Sequence, residues 1–376
     1  MKRRGTPSAP KARFGLWPTY SAACRRDMDR LLAKGGGLSA YRSNPHWPLG
    51  PVGGSWAWRF ERDAERLLCV RHVIACANGT LALISALRAL DLPPGEVVTT
   101  PYTFSATAAA IRFAGHEPVF ADVDLRTFCL DPESVATVVG PQTRAILPVD
   151  LFGGLADYGK LRAFGLPIVE DAAQAVGAGT TACRGDVAML SFNGTKQIPA
   201  GEAGAVATDS RVLADRVRGF VSHVENWASP EVGLNARMNE PTALIAVHGL
   251  RALRVRNTAR RRLARVLIEA LKGIPAIRFL RDPVDHAYYV FPLVLTEGVD
   301  RAAFADSLKR LGVEVGCGYL TPPISSYPAF KECRRAALPV ATELSERSLC
   351  LFTQVRPPAT EADMRWLARA IREALA

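Results

Sequence analysis

Between residue 67 and about residue 220 the chain alternates short apolar runs with segments whose apolar residues recur at helical spacing. GTLALISALRAL (79–90), SATAAAIRFAG (105–115), PESVATVV and ADYGKLRAF predict helices. EVVTTP (96–101), PVFADV (118–123), RAILPVD (144–150) and LPIVEDA (166–172) predict the strands between them. Two further strands, VAMLSF and AGAVATD, precede a helix from Ser210. Alternation of this kind predicts an α/β fold with a mostly parallel central sheet flanked by helices. Such sheets carry their sites at the carboxyl ends of the strands. After residue 240 the texture changes. A long helix over 240–272, strands at IRFL and AYYVFPLVL (287–295), a helix RAAFADSLKRLG, a strand VEVGCGY and closing helices at 341–352 and 360–375 predict a smaller α+β unit. The expected organisation is an irregular N-terminal arm (1–60, rich in Gly, Pro and Trp), a large domain (61–240) and a small C-terminal domain (241–376).

Composition narrows the class. A chain of 376 residues with 48% hydrophobic residues can bury a sizeable core. No uninterrupted apolar run approaches the ~18 residues of a membrane span. The basic start MKRRGTPSAPKARFGLWP lacks the apolar stretch of about 7–15 residues that a secretory signal needs, so a cytoplasmic protein is expected. The eight cysteines are scattered without a C-x-x-C pair, which indicates neither a disulfide framework nor a zinc site. The net charge of +11 favours an anionic substrate or partner, and seven arginines fall in 251–265. They occupy several helical faces and read as a solvated helix; no nucleic-acid-binding signature accompanies them.

Four stretches could carry chemistry. In ANGTLALISALRAL a Gly-Thr pair opens an apolar helix, leaving free amides and the positive dipole end for an anion such as a phosphate, or simply an Asn/Thr cap. In VEDAAQA (169–175), Asp171 ends an apolar strand and Gln174 follows; the acid either pairs with a cation or caps a helix. In TPYTFSATAAA, Phe104 sits just past a strand end, where its ring could lie against a flat ligand or pack in the core. In SFNGTKQIPAGEAG (191–204) a single lysine, Lys196, lies between two strands, 25 residues after Asp171 and five after Ser191. A phosphate cradle, a stacking aromatic, an acid and a lysine together fit one ligand, pyridoxal 5′-phosphate. The lysine would form the Schiff base, and the acid would keep the pyridine nitrogen protonated.

From about residue 17 onward the chain resembles the DegT/StrS-type sugar aminotransferases, which are fold-type-I pyridoxal-phosphate enzymes. The resemblance rests on NGTLALISALRAL, PYTFSATAAAIRFAGHEPVFADVD, FCLDPESV, TRAILPVDLFG, VEDAAQAVGA, GDVAMLSFNGTK, GLNARMNE and LPVATELSERSLCL. It implies that Lys196 holds the cofactor, Asp171 partners the pyridinium, Gln174 contacts the phenolic oxygen and Phe104 stacks on the ring. It further implies a phosphate cradle of Thr80, the Leu81 backbone and Ser191, with Asn235 reaching the phosphate of a neighbouring subunit in a homodimer with shared sites. Two positions depart from the family pattern. Ala203 replaces a glycine in Gly201-Glu202-Ala203-Gly204 and would be strained there if the position needs φ > 0. Gly318-Tyr319 replaces a His-Tyr near the substrate.

The resemblance also implies the reaction. An amino acid, L-glutamate as the expected donor, converts the cofactor to pyridoxamine phosphate, which passes the amine to a nucleotide-linked keto-deoxysugar. The wording of the motifs is nearest to enzymes of a dTDP-4-keto-6-deoxyhexose. Two alternatives stay open: an aminocyclitol or amino-aromatic acceptor, and a regulator of the same fold without turnover. The intact Lys196–Asp171 pair argues against the latter, and against the dehydratases that carry histidine in place of the lysine.

Overall fold

The computed structural model describes residues 18–33, 37–39, 54–222, 232–278, 285–317, 320–351 and 359–376. In chain order the elements are α1 (Ala22–Ala33), α2 (Ser55–Leu68), β1 (His72–Cys76), α3 (Gly79–Ala89), β2 (Glu96–Thr99), α4 (Ala106–Phe113), β3 (Glu117–Phe120) and α5 (Pro132–Ala136). Then follow β4 (Thr143–Leu147), α6 (Tyr158–Arg162), β5 (Val169–Asp171), β6 (Val187–Ser191), β7 (Gly204–Thr208), α7 (Arg211–Val221) and α8 (Glu240–Leu271). The last part holds β8 (Ile277–Arg278), β9 (Phe291–Leu295), α9 (Arg301–Arg310), β10 (Val315–Cys317), α10 (Pro339–Arg347), β11 (Ser348–Leu351) and α11 (Glu361–Leu375).

β3, β2 and β4 pair in parallel, and β5 runs parallel to β6, while β7 is antiparallel to both β6 and β1. Parallel bridges Ile146–Ile168 and Val149–Asp171 join β4 to β5, giving one sheet of order β3-β2-β4-β5-β6-β7-β1 in which only β7 is reversed. The mostly parallel sheet expected from the alternation is therefore present. Its central strands are buried on both faces, which is why they read as continuous apolar runs. The second sheet, β10-β11-β9-β8, is antiparallel throughout and packs on α9 and α11. Helix α8 serves both units: Ala243, Ala246, Val247, Leu250 and Leu253 pack in the core beside α2, whereas Leu263, Ala264, Leu267 and Leu271 pack under the second sheet. Among the described residues no helix is long and apolar enough to cross a membrane.

Three differences from the sequence reading have physical causes. The first 60 residues are not irregular throughout: Ala22–Ala33 is a helix, and α2 starts at Ser55. Glu240 holds the start of α2 in place, its carboxylate accepting from the amides of Trp56 (2.9 Å) and Ala57 (3.0 Å). Residues 348–351, expected as helix, form the buried strand β11, because the four-residue run Ser-Leu-Cys-Leu is too short to carry a period that separates helix from strand. The sequence reading also left β1 unassigned. This is an edge strand, and α2 blunts it. Glu65 accepts from the Val73 amide (3.2 Å) and Glu61 from the Ala75 amide (2.9 Å), so outward N–H groups are satisfied by side chains instead of another strand. Glu61 is neutralised by a buried pair with Arg218 (3.1 Å).

Burial pushes the Glu65 carboxyl up to about 7, against the opposing pull of Arg62 and the Val73 amide, with the Glu61 charge adding to the rise. The folded protein thus holds this proton to higher pH than the unfolded chain does. Proton binding favours the folded state, and the stability so gained is lost as pH rises from the ordinary glutamate range through about 7. Thermal midpoints should fall between about pH 5 and pH 8, and Glu65→Gln, which keeps the acceptor oxygen for Val73 but cannot ionise, should flatten that slope. An unaltered pH profile in the variant would contradict this role.

Candidate active site

The carboxyl ends of β5 and β6, the start of α3, the loop before α4, the loop after β6 and the segment before β9 enclose a cleft of about 920 Å³. Seven of the eight residues singled out in the sequence line it: Thr80, Leu81, Phe104, Asp171, Gln174, Ser191 and Lys196. Asn235 does not. It is exposed, bridged to Ser222, and away from the cleft of its own chain. Gly318 and Tyr319 lie outside the described residues.

Each lining group is placed by local structure. Asn78 caps α3, its side-chain oxygen accepting from the Leu81 amide at 2.9 Å. The Leu81 amide, expected in an anion cradle, is therefore engaged by its own cap, and Gly79 and Thr80, which line the cleft, carry the first-turn amides that have no intrahelical acceptor. Close packing sets this helix end over the sheet. A Cβ on Gly79 would stand 3.3 Å from the Ser191 hydroxyl oxygen, and one on Gly204 would stand 2.5 Å from the Asn78 carbonyl, so β7 passes directly beneath the N-terminus of α3. Ala203 is buried and has no positive φ; in that turn it is Gly201, at φ +83°, that uses the left-handed region. The replacement of glycine at 203 is thus tolerated without strain.

Asp171 is only 4% exposed. Its carboxylate accepts from the Thr107 hydroxyl (2.9 Å) and the Ala173 amide (3.1 Å), and Thr107 in turn meets the Thr103 hydroxyl at 3.0 Å. Burial pushes the Asp171 carboxyl up, opposed by those two donors and by the charge of Lys196. Among the described residues no cation forms an ion pair with it. The acid is desolvated, oriented and short of one positive partner on its cleft side. Gln174 is held by the Phe152 amide, which donates to its side-chain oxygen at 2.8 Å and so fixes which end of the amide is the NH₂. Phe152 adopts φ +58°, a left-handed conformation unusual for a bulky residue, and its neighbourhood is anchored by Asp150, which accepts from the Ala156 amide (2.9 Å) and the Tyr158 hydroxyl (3.1 Å). Beside it Glu170 pairs with Arg184 at 2.8 Å; burial and the Glu170 charge push the Asp150 carboxyl well up, against the pull of Arg184. Phe104 is 59% exposed, an unusual state for a phenyl ring, and its exposure is toward the cleft. Lys196 turns inward, its Nζ standing 4.4 Å from the centre of the Tyr289 ring.

Thr107 and Tyr289 were not singled out from sequence. Thr107 could have been found as a hydroxyl in the first turn of the helix after Phe104; Tyr289 was read as part of a strand that in fact begins at Phe291.

The residues fit pyridoxal phosphate. A buried acid lacking a cation suits the pyridine nitrogen, an exposed phenyl face suits the ring, first-turn amides beside a serine hydroxyl suit the phosphate, and the inward lysine suits the aldehyde. Fold and site together define a fold-type-I aminotransferase that depends on pyridoxal phosphate. The chain belongs to the DegT/DnrJ/EryC1/StrS aminotransferase family, whose sequence profile matches residues 52–371. It is 33% identical over 331 residues to a UDP-N-acetyl-3-dehydro-α-D-glucosamine 3-aminotransferase of Acidithiobacillus ferrooxidans, covering 84% of this chain and 87% of that one. It is also 33% identical over 290 residues to a 3-oxo-glucose-6-phosphate:glutamate aminotransferase of Bacillus subtilis, where the match takes in 73% of this chain but only 65% of the relative's length. Among solved structures, that of DesI in the presence of its TDP-sugar product superposes with a TM-score of 0.82 at 29% identity, over 94% of this chain and 89% of that one.

Asp171→Asn should cut turnover by at least ~10²-fold while leaving the thermal midpoint near that of the wild type, since an amide cannot offset a pyridinium charge. Thr107→Val, which removes only one donor to the carboxylate, should cost about tenfold. Activity of Asp171→Asn within a factor of two of wild type would reduce the acid to a turn-forming residue.

Proposed function

We propose that this chain transfers an amino group from an amino acid, with L-glutamate as donor, to the ketone of a nucleotide-linked keto-deoxysugar such as a dTDP-4-keto-6-deoxyhexose. The observation that carries the reading is the convergence of Lys196, the unpaired buried Asp171 and the open start of α3 in one cleft. The relatives' names support the acceptor class, since they give a UDP-sugar, a sugar phosphate and a TDP-sugar. The glutamate donor is supported by the name of the Bacillus subtilis relative. A cytoplasmic homodimer completes the reading.

Pyridoxal phosphate supplies the electron sink and the amine carrier. In our assignment Lys196 is the residue joined to it and, once released, the acid–base that carries the proton between the donor carbon and the carrier carbon. Asp171 keeps the ring nitrogen protonated. The Gln174 amide, held by Phe152, would donate to the phenolic oxygen, and Phe104 would pack against the ring. With the Leu81 amide taken by its own cap, the first-turn amides of Gly79 and Thr80 and the Thr80 and Ser191 hydroxyls would receive the phosphate together with the partner subunit's Asn235. That last contribution accounts for a side chain that matches the family's motif yet stays outside the cleft of its own chain.

The cleft itself carries Glu202 and Glu314 and, among the described lining residues, no arginine. A diphosphate would therefore be drawn in by the wider positive field. Arg251, Arg254, Arg262 and Arg265 on α8 are exposed and contribute to it, whereas Arg260 is buried and donates to the Tyr288 carbonyl at 3.3 Å.

A comparison of kcat/KM for a dTDP-4-keto-6-deoxyhexose and for scyllo-inosose, at low and high salt, tests the acceptor. The sugar nucleotide should win, with an advantage that shrinks as salt screens charges beyond ~8–10 Å. An inosose that wins at both salts would replace the sugar-nucleotide reading by the cyclitol one. Asn235→Ala should release the cofactor faster on dilution, with light scattering showing a dimer for the wild type. A fully active monomer would refute the shared site.

A further inference from the structure

Lys196 has one close aromatic neighbour in the cleft, and it comes from a different part of the chain. Nζ lies 4.4 Å from the Tyr289 ring centre, while the Tyr289 hydroxyl shares a 3.0 Å hydrogen bond with the hydroxyl of Thr195, the residue before the lysine. An ammonium over an aromatic face is attracted by the negative potential of the ring.

The position of Tyr289 is fixed by its backbone. Its amide donates to the Phe152 carbonyl at 2.8 Å, and the Ala287 amide donates to the Gly153 carbonyl at the same distance. Phe152, through its own amide, is the residue that orients Gln174. Gly153 sits at φ +102°, and a Cβ there would stand 2.8 Å from the Tyr288 nitrogen, so the two segments touch backbone to backbone. Tyr288 adopts φ +44°, and buried Arg260 of α8 donates to its carbonyl. This kink separates the two adjacent tyrosines. Tyr288 packs in the core of the small sheet, its ring 6.1 Å from that of Phe291 and 4.1 Å from that of His286. Tyr289 is sent the other way, into the wall of the cleft. Both tyrosines are buried and packed, Tyr289 in the core of the large sheet, but only Tyr289 also turns its ring face to Lys196 and its hydroxyl to Thr195.

We propose that Tyr289 is a positioning residue for Lys196, its ring face holding the lysine ammonium inside the cleft whenever the lysine is not joined to the cofactor. The inference rests on the aminotransferase reading above. In each half-reaction the free amine takes one proton from the donor carbon and hands the same proton to the acceptor carbon. In between it is an ammonium, and an unrestrained four-carbon side chain would carry that charge toward water. The Tyr289 face keeps it over the cleft, and the Thr195 bond keeps the ring from rotating away.

The test uses the full-length protein saturated with pyridoxamine phosphate, a form in which the Lys196 amine is free, with lysine labelled with carbon-13 at Cε. The Lys196 signal is assigned by its loss in Lys196→Arg. In the wild type its Cε protons should be displaced upfield of those of the exposed Lys160 by the ring current. The displacement should persist in Tyr289→Phe, which keeps the ring, and collapse in Tyr289→Leu, which removes it; comparison of the variants separates this ring from that of the cofactor. In parallel, Tyr289→Leu should lower kcat about tenfold with KM for the donor unchanged, and Tyr289→Phe should stay within about threefold. A wild-type Lys196 signal at the surface-lysine position overturns the proposal whatever the variants do. Wild-type kcat in Tyr289→Leu also overturns it. Failure of the protein to take up pyridoxamine phosphate, seen by absorbance, would instead bring down the cofactor reading and this inference with it.

Discussion

A carboxylate removed from water at the end of a parallel strand, with two neutral donors and, among the described residues, no cation paired with it, is the constraint around which this structure is organised. Asp171 is held there by β5, which is clamped between β4 and β6, and by the Thr107 hydroxyl and the Ala173 amide. Both donors lower the cost of keeping it charged, yet burial still pushes its carboxyl up. A cationic ring nitrogen would supply the missing positive partner. The other groups line the same cleft. The start of α3 comes down on the strand ends because Gly79 and Gly204 lack side chains, Gln174 is turned by Phe152, and Lys196 is folded inward onto Tyr289.

Two of the five described non-glycine residues at positive φ lie beside this site. Phe152 and Tyr288 both occupy the left-handed region, and they face each other across the junction between the large sheet and the segment leading into the small one. The cluster of Asp150, Glu170, Arg184 and Tyr158 lies under one side of that junction, and Arg260 of α8 under the other. Charged groups here are buried with partners that fix loop geometry. The arginine-dense stretch of α8 therefore has two roles: most of it is solvated, and one member is a structural anchor under the active site.

Much of this was legible in the sequence, for identifiable reasons. The central strands are buried on both faces and so appear as apolar runs, and the end of β5 and the turn after β6 carry the acid and the lysine in the order and spacing on which the family resemblance rests. β1 escaped notice because its outward amides are satisfied by side chains, Glu61 and Glu65 of the preceding helix α2, so no strand pairing marks it as an edge. β11 was merged into a helix because the run Ser-Leu-Cys-Leu is too short to show a period. Thr107 and Tyr289 were missed for another reason. A threonine in a helix's first turn and a tyrosine beside a strand are both ordinary in sequence, and only the fold brings one to Asp171 and the other to Lys196.

The central claim is that Lys196 and Asp171 work a bound pyridoxal phosphate as an amine carrier. Its most direct measurement is the visible absorbance of the full-length protein, reconstituted with pyridoxal phosphate and then given L-glutamate without any acceptor. The account predicts that the visible band disappears as one equivalent of 2-oxoglutarate forms per site. A band that persists under saturating glutamate, with no 2-oxoglutarate released, would contradict it.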